Sequence, residues 1–220
     1  MTDDPRDQRE QPAYPRPGLF ARALSRRRFL GFVAGGALLA VAGKRTLGLL
    51  GGWRFNTVER PVPEFDPATY RLVVDGLVER PFTLTYDELR ALPPVRQVSD
   101  FHCVEGWGVD DVRWDGVRLQ AIMEQARPTA EARFLTFHSL GGIYRDSLSM
   151  RQAMFGDTLI AYDMDGEPLS RSHGLPLRLM MPQMYDYKGP KWLTRIEFRS
   201  VRDHGFWEQR GWAVNAWIKI

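Results

Sequence analysis

The chain has 220 residues, 44% hydrophobic and 26% charged, the balance of a globular protein rather than a disordered or membrane-spanning one. The formal charge of +3 is misleading, because residues 1–42 carry seven Arg against four acids and leave 23 basic and 23 acidic side chains elsewhere. A neutral body has no nucleic-acid footprint, and seven Trp favour a sizeable core or a pocket with flat walls.

Met1 to Leu24 is polar, holds Pro5, Pro12, Pro15 and Pro17, and reads as disordered. Ser25-Arg26-Arg27-Arg28-Phe29-Leu30 then precedes a mild apolar run, Gly31 to Ala42, of 12 residues. Spanning a bilayer takes about 20, so this is a poor membrane helix. A charged start, a short apolar core and Ala40-Val41-Ala42 predict a signal peptide cut after Ala42. The arginine pattern resembles a twin-arginine export signal, which implies the twin-arginine translocase as a partner and a periplasmic or otherwise exported location. The domain would be membrane-tethered if the leader stays uncleaved. That route carries folded proteins, and one cysteine cannot staple a fold by disulfides. A cofactor inserted before export is the better reason to fold first.

Residues 43–64 read as a linker and extended arm with Pro61 and Pro63, and residues 65–220 as one folded domain. Tyr70 to Val74 is β-rich and closes at Asp75-Gly76. Thr85-Tyr86-Asp87-Glu88 predicts a capping box opening a helix through Ala91, stopped at Pro93-Pro94. Val95 to Val98 is a strand delivering the chain to Cys103. Trp114-Asp115-Gly116-Val117 reads as a turn, and Leu119, Ile122 and Met123 mark a helix face ending before Pro128. Strands follow at Arg133 to Phe137, Ser147 to Met150, Thr158 to Tyr162, Leu177 to Met181, and around Ile196 and Phe198. A helical turn is expected from Met150 to Phe155. Short strands with few helices and no βαβ rhythm predict an α+β fold, mainly β.

Cys103, the sole cysteine, lies in Phe101-His102-Cys103-Val104-Glu105-Gly106-Trp107. It is bland packing, a nucleophile or a metal ligand. Glycine and indole directly after it point to a tight backbone passage beside a flat group. Pairing with His102 as a nucleophile's base is disfavoured, because consecutive extended residues point opposite ways. Dinucleotide, phosphate-loop, serine-hydrolase, zinc-protease and haem-attachment signatures are absent from the sequence. A second dense passage, Asp165 to Trp192, combines glycines, prolines, Arg178, Lys188 and Lys191. It suits a phosphate-bearing ligand, or else forms a hairpin with a solvated basic face.

Cys103-Val104-Glu105-Gly106-Trp107, His-Gly-x-Pro-Leu-Arg at His173 to Arg178 and Tyr-x-Tyr-Lys-x-x-Lys-Trp at Tyr185 to Trp192 resemble the sulfite-oxidase-like molybdopterin oxidoreductases. The likeness is greatest to the catalytic subunits of periplasmic methionine-sulfoxide reductases and their short relatives, and spans Tyr70 to Trp212. It implies a sulfite-oxidase-type molybdopterin-binding domain and a molybdenum-molybdopterin cofactor. Cys103 would give its thiolate to molybdenum, and a coordinating thiol is held deprotonated. His173 and Arg178 would hold the pterin and its phosphate. Asp186, Tyr187 and Lys188 match a second pterin-contacting stretch, Ser139 a hydroxyl contact, and Asn56 to Glu59 the region of the N-terminal contacts.

The resemblance further implies two-electron oxygen-atom transfer, in the direction of S-oxide or N-oxide reduction, with a membrane haem-containing protein as electron donor. His102 stands where the compared reductases have Arg. A sulfite-oxidising enzyme is the alternative and needs several cations around its substrate, for which Arg113, Arg118, Arg145 and Lys191 are available. For a neutral sulfoxide, Trp107, Trp114 and Tyr144 are candidate pocket walls or core residues. A non-catalytic binding module on the same scaffold and a thiol enzyme using Cys103 are the readings from other classes.

Overall fold

The computed structural model describes Trp53 and residues 56–218. The expected signal peptide and most of the expected linker lie outside the described residues. Ten strands and three short helices follow in chain order among them: β1 (Leu72–Gly76), β2 (Phe82–Leu84), α1 (Tyr86–Ala91), β3 (Val95–His102), β4 (Gly108–Arg118), α2 (Leu119–Ala126), β5 (Phe134–Ser139), β6 (Arg145–Ser149), α3 (Met150–Ala153), β7 (Leu159–Met164), β8 (Glu167–Pro168), β9 (Arg178–Met180) and β10 (Leu193–Arg199). The fold is α+β and mainly β, as the pattern of short strands predicts.

Two sheets carry the structure. One runs β2-β1-β10-β5-β6, and the other runs β3-β4-β7-β8 with β9 also paired to β7. Only β1 and β10 pair in parallel, with Val73 opposite Arg195, so the beginning and end of the domain share one sheet. Leu72 and Val74 of β1, Leu135 and Phe137 of β5, and Ile196 and Phe198 of β10 alternate into the main core, the period-2 burial of a half-covered sheet. α2 closes that core with Leu119, Ile122, Met123 and Ala126 buried on one face. Each fully buried large side chain there is worth about 1.5–3 kcal/mol. The helix ends at Arg127 in the left-handed region, immediately before Pro128.

α1 starts where its capping box predicts: Glu88 N donates to Thr85 Oγ1 at 3.1 Å, and Thr85 N donates to Glu88 Oε2 at 2.8 Å. The Trp114–Val117 turn is not a turn. These residues lie inside β4, where the register with β7 shifts between Asp115 and Gly116. A Cβ on Gly116 would sit 2.3 Å from the carbonyl oxygen of Ile160, so this glycine serves close strand approach. A second core cluster, Phe101, Val112, Trp114, Leu159, Ala161, Leu169 and Met180, lies within the second sheet, and Cys103, Trp107 and Trp53 pack against it.

Candidate cofactor site

β3 and β4 form a long antiparallel ribbon, and Cys103 to Trp107 make its turn. Cys103 N donates to Trp107 O at 2.9 Å and Gly106 N donates back to Cys103 O at 3.1 Å. Gly106 sits at φ +84°, a conformation that costs glycine little and other residues more. The Glu105 carboxylate accepts from Trp107 Nε1 and from Asn56 Nδ2, each at 3.1 Å, and so ties the turn to the N-terminal arm. Cys103 is half-buried and forms no disulfide. It borders a cavity of about 340 Å³, within the range of small-molecule and cofactor sites.

One stretch of the cavity wall is cationic. β9 supplies Arg178, 1% exposed, whose guanidinium carbon lies 5.4 Å from the rings of both Phe101 and Trp114. Its Nη1 donates to His173 O at 3.1 Å and its Nη2 donates to Asp186 Oδ1, while its Nε is buried without a hydrogen-bond partner among the described residues. Lys191 Nζ donates to Asn56 O at 2.8 Å and to Ser172 O at 3.3 Å. Burial and the neighbouring Arg178 pull the Lys191 ammonium down to about 8. Burial, then Arg178 and Lys191, push His173 down to about 4, so its imidazole is neutral at neutral pH. Gly174, at φ +111°, lets the segments carrying these cations meet: a Cβ there would come within 3.1 Å of Lys191 Cβ and 3.2 Å of Arg178 Cβ.

Another stretch is aromatic. Trp207 stacks on Trp212 with centroids 4.6 Å apart, and Tyr187 meets Trp212 edge-on at 4.9 Å. Tyr144 Oη donates to Tyr187 O at 2.5 Å and joins the same wall. On the Cys103 side, Trp53 packs edge-on against Phe101 at 4.4 Å and His173 at 4.8 Å.

The fold thus brings Cys103, His173, Arg178, Asp186 and Tyr187 to one cavity, together with Asn56, Thr57 and Val58 of the arm. Two expected contacts lie off its wall. Lys188 is 0% exposed and its ammonium turns away, between Asp146 and Glu208. Ser139 ends β5, with its buried Oγ lacking a hydrogen-bond partner among the described residues, at the base of the loop that leads to Tyr144. Lys191 stands in the cavity instead, and Trp207 and Trp212 are wall residues that sequence motifs left unassigned. Trp114 is fully buried core, whereas Trp107 and Tyr144 do line the cavity. Arg113, Arg118 and Arg145 are not wall residues and are engaged elsewhere, by Asp115, Gln97 and Asp203 respectively. Glu59, 1% exposed, accepts from Ile143 N and Tyr144 N at 3.1 and 2.7 Å, so the described arm is part of the site's frame.

The residues fit the cofactor. Two desolvated cations side by side, one with an unpartnered buried Nε, call for an anion such as a phosphate. Flat aromatic faces suit a fused ring, and a thiol at the cavity edge suits a soft metal. Among the described residues no group of three His, Cys, Asp or Glu is arranged to hold a metal ion.

Fold and cavity together define a domain suited to a large anionic ring cofactor, with one thiol on the cavity wall. Residues 59–207 match the oxidoreductase molybdopterin binding domain, and the chain belongs to that family: it is a molybdenum-molybdopterin oxidoreductase. It is 37% identical over 152 residues to an uncharacterized oxidoreductase, YuiH, of Bacillus subtilis, covering 69% of this chain and 76% of that protein. A putative protein-methionine-sulfoxide reductase subunit, YedZ1, of Azospira oryzae is 34% identical over 69% of this chain, and the chain spans 57% of its length. The protein-methionine-sulfoxide reductase catalytic subunit MsrP of Campylobacter jejuni is 30% identical over 71% of this chain, which spans 59% of its length. The fold matches the sulfane dehydrogenase SoxCD of Paracoccus pantotrophus with a TM-score of 0.59 at 23% identity, covering 64% of this chain and 41% of that one.

Proposed function

We propose that this enzyme reduces a neutral S-oxide or N-oxide, with methionine sulfoxide as the model of its substrate class. The observation that carries this reading is the charge distribution on the cavity wall. Arg178 and Lys191 are the Arg and Lys side chains there, and the cofactor's phosphate takes their charge. Arg113, Arg118 and Arg145, the cations an anionic substrate such as sulfite would need, are held elsewhere. The rest of the wall carries no further Arg or Lys: it holds the carboxylates Glu105 and Asp186, which disfavour a second anion, and a run of aromatic side chains, Trp107, Tyr144, Tyr187, Trp207 and Trp212. Such a wall packs on methyl groups and on the partial positive charge of a sulfoxide sulfur. The names of two relatives, both protein-methionine-sulfoxide reductase subunits, support the same direction.

Bound molybdopterin supplies two-electron oxygen-atom transfer. The chain's own residues do the rest. Cys103 gives its thiolate as the protein's ligand to the metal, held at the cavity edge by the turn through Gly106. Arg178, Lys191 and neutral His173 hold the phosphate and pterin, and Asp186 fixes the guanidinium of Arg178. Tyr187 and the paired indoles exclude water from the substrate side. Electrons come from an external membrane haem-containing donor, and twin-arginine export of the folded, loaded domain delivers it to the periplasm. No helix among the described residues is long and apolar enough to cross a membrane.

The test is a substrate panel on metal-replete protein: methionine sulfoxide, dimethyl sulfoxide, trimethylamine N-oxide and sulfite. Turnover of the oxides is expected. Turnover of sulfite alone overturns the direction.

A further inference from the structure

Beneath the aromatic wall lies a second cluster, whose charged side chains turn away from the cavity. Lys188 Nζ donates to Asp146 Oδ1 at 2.5 Å and to Glu208 Oε1, and the side chains of all three are 0% exposed. They come from three elements: β6, the 3-10 turn Asp186–Lys188 and the C-terminal 3-10 turn Glu208–Arg210. Each stands one or two residues from a different cavity-wall aromatic: Asp146 from Tyr144, Lys188 from Tyr187, Glu208 from Trp207. Further bonds stitch the same elements together, since Glu208 Oε2 accepts from Gly205 N at 2.9 Å and Tyr187 Oη donates to Ala213 O at 2.7 Å.

The cluster holds two acids and one base. Asp146 Oδ2 is buried without a hydrogen-bond partner among the described residues, and a Cβ on Gly205 would come within 2.4 Å of it, so a side chain at that position has no room there. We propose that Asp146, Lys188 and Glu208 are positioning residues that set the aromatic wall of the substrate cavity, and that gain or loss of one proton on Asp146 shifts that wall. The inference rests on the reading of that wall as the substrate side.

The groups facing Asp146 fix the direction. Lys188 comes from the 3-10 turn; Glu208, with His204 3.6 Å behind it, comes from the C-terminal segment; β6 adds Tyr144, and β5 presents apolar Phe137. Burial outweighs Lys188, and Glu208 adds to it, lifting Asp146 to about 7. The protonated cluster is neutral and the ionised one carries a buried negative charge. The folded chain therefore keeps a proton the unfolded chain would release, and stability declines as pH rises from the ordinary carboxylate range towards 7.

The experiment is indole NMR of the metal-free full chain, with Trp207 and Trp212 resonances assigned from Trp207→Phe and Trp212→Phe variants. Both indoles should shift with a midpoint near 7, and Asp146→Asn, which keeps a hydrogen-bond acceptor, should abolish the shift while the domain stays folded. His204→Gln should leave it in place. In loaded enzyme, the wild-type KM for methionine sulfoxide should change between about pH 6 and about pH 8, with a flat profile in Asp146→Asn. Flat indole signals in the wild type, or a shift that survives Asp146→Asn and vanishes in His204→Gln, overturn the proposal. A titrating wall in an enzyme that turns over only sulfite leaves this proposal standing and sinks the substrate reading alone.

Discussion

Replacing Arg178 by Met tests the cationic wall most directly. Methionine preserves much of the stem's contact with Phe101 and Trp114 but removes the donors to Asp186 and His173. A hydrogen bond to a charged partner is worth about 1.5–3 kcal/mol, and breaking a buried pair from one side costs about 3–5 kcal/mol. The Asp186 side chain is 23% exposed, so some solvation softens the loss and the lower figures apply. We expect about 3 kcal/mol, a drop in Tm of about 6–12 °C for a domain of this size. Asp186, already raised by burial and held down by Arg178, moves further up without it. The double variant Arg178→Met, Asp186→Asn should therefore lose less stability than the sum of the two singles. Differential scanning calorimetry of the metal-free protein measures this, and molybdenum analysis of the purified variant should show the metal largely lost. A Tm unchanged within experimental error, or additive single effects, would refute the pairing; full molybdenum content would refute the phosphate role.

Cys103→Ser should purify without molybdenum, yet unfold within about 1 kcal/mol of wild type, because the thiol is only half-buried; elemental analysis beside a melting curve decides it, and metal retained by the serine variant counts against ligation. Sulfate binding to the metal-free chain should weaken as pH rises through about 8, where Lys191 sheds its proton, and Lys191→Met should flatten that dependence in titration calorimetry. The same group makes the folded state bind fewer protons than the unfolded one above about pH 8, so its contribution to stability grows towards the ordinary lysine range. Gly116→Ala should destabilise by about 1–3 kcal/mol, visible in urea denaturation, since its methyl meets the Ile160 carbonyl in the middle of a sheet.

Much of the site was legible because its chemistry is local. The Cys103 turn needs a glycine and an indole within four residues, and the His173–Arg178 box is compact. The two lysines of Tyr185 to Trp192 were not separable by residue type. The intervening 3-10 turn sends Lys188 to acids 42 and 20 residues away, and sends Lys191 to the cavity. Ser139 stands off the wall for a related reason: it starts the loop whose far end, Tyr144, lines the wall. Gly116 looked like a turn because aspartate-glycine usually is one, but its reason is the opposite strand's carbonyl, which lies 44 residues on. The Gly205 to Trp212 stretch fits the family resemblance but gives no role to Trp207 or Trp212; only tertiary packing turns those indoles inwards. The strands were mostly placed within a few residues, since alternation reports on burial that β1, β5 and β10 do provide.

The cavity draws its lining from Trp53 through Trp212, nearly the full described length. No contiguous fragment of the chain can therefore own the pocket. A polypeptide without residues 209–218 would lack both Trp212 and the segment whose Ala213 and Ala216 carbonyls accept from Tyr187 Oη and Tyr185 N. The pocket is complete only once the segment through Trp212 has folded back on the rest, and an assembly checkpoint that senses that segment closed would by that act also sense a completed pocket.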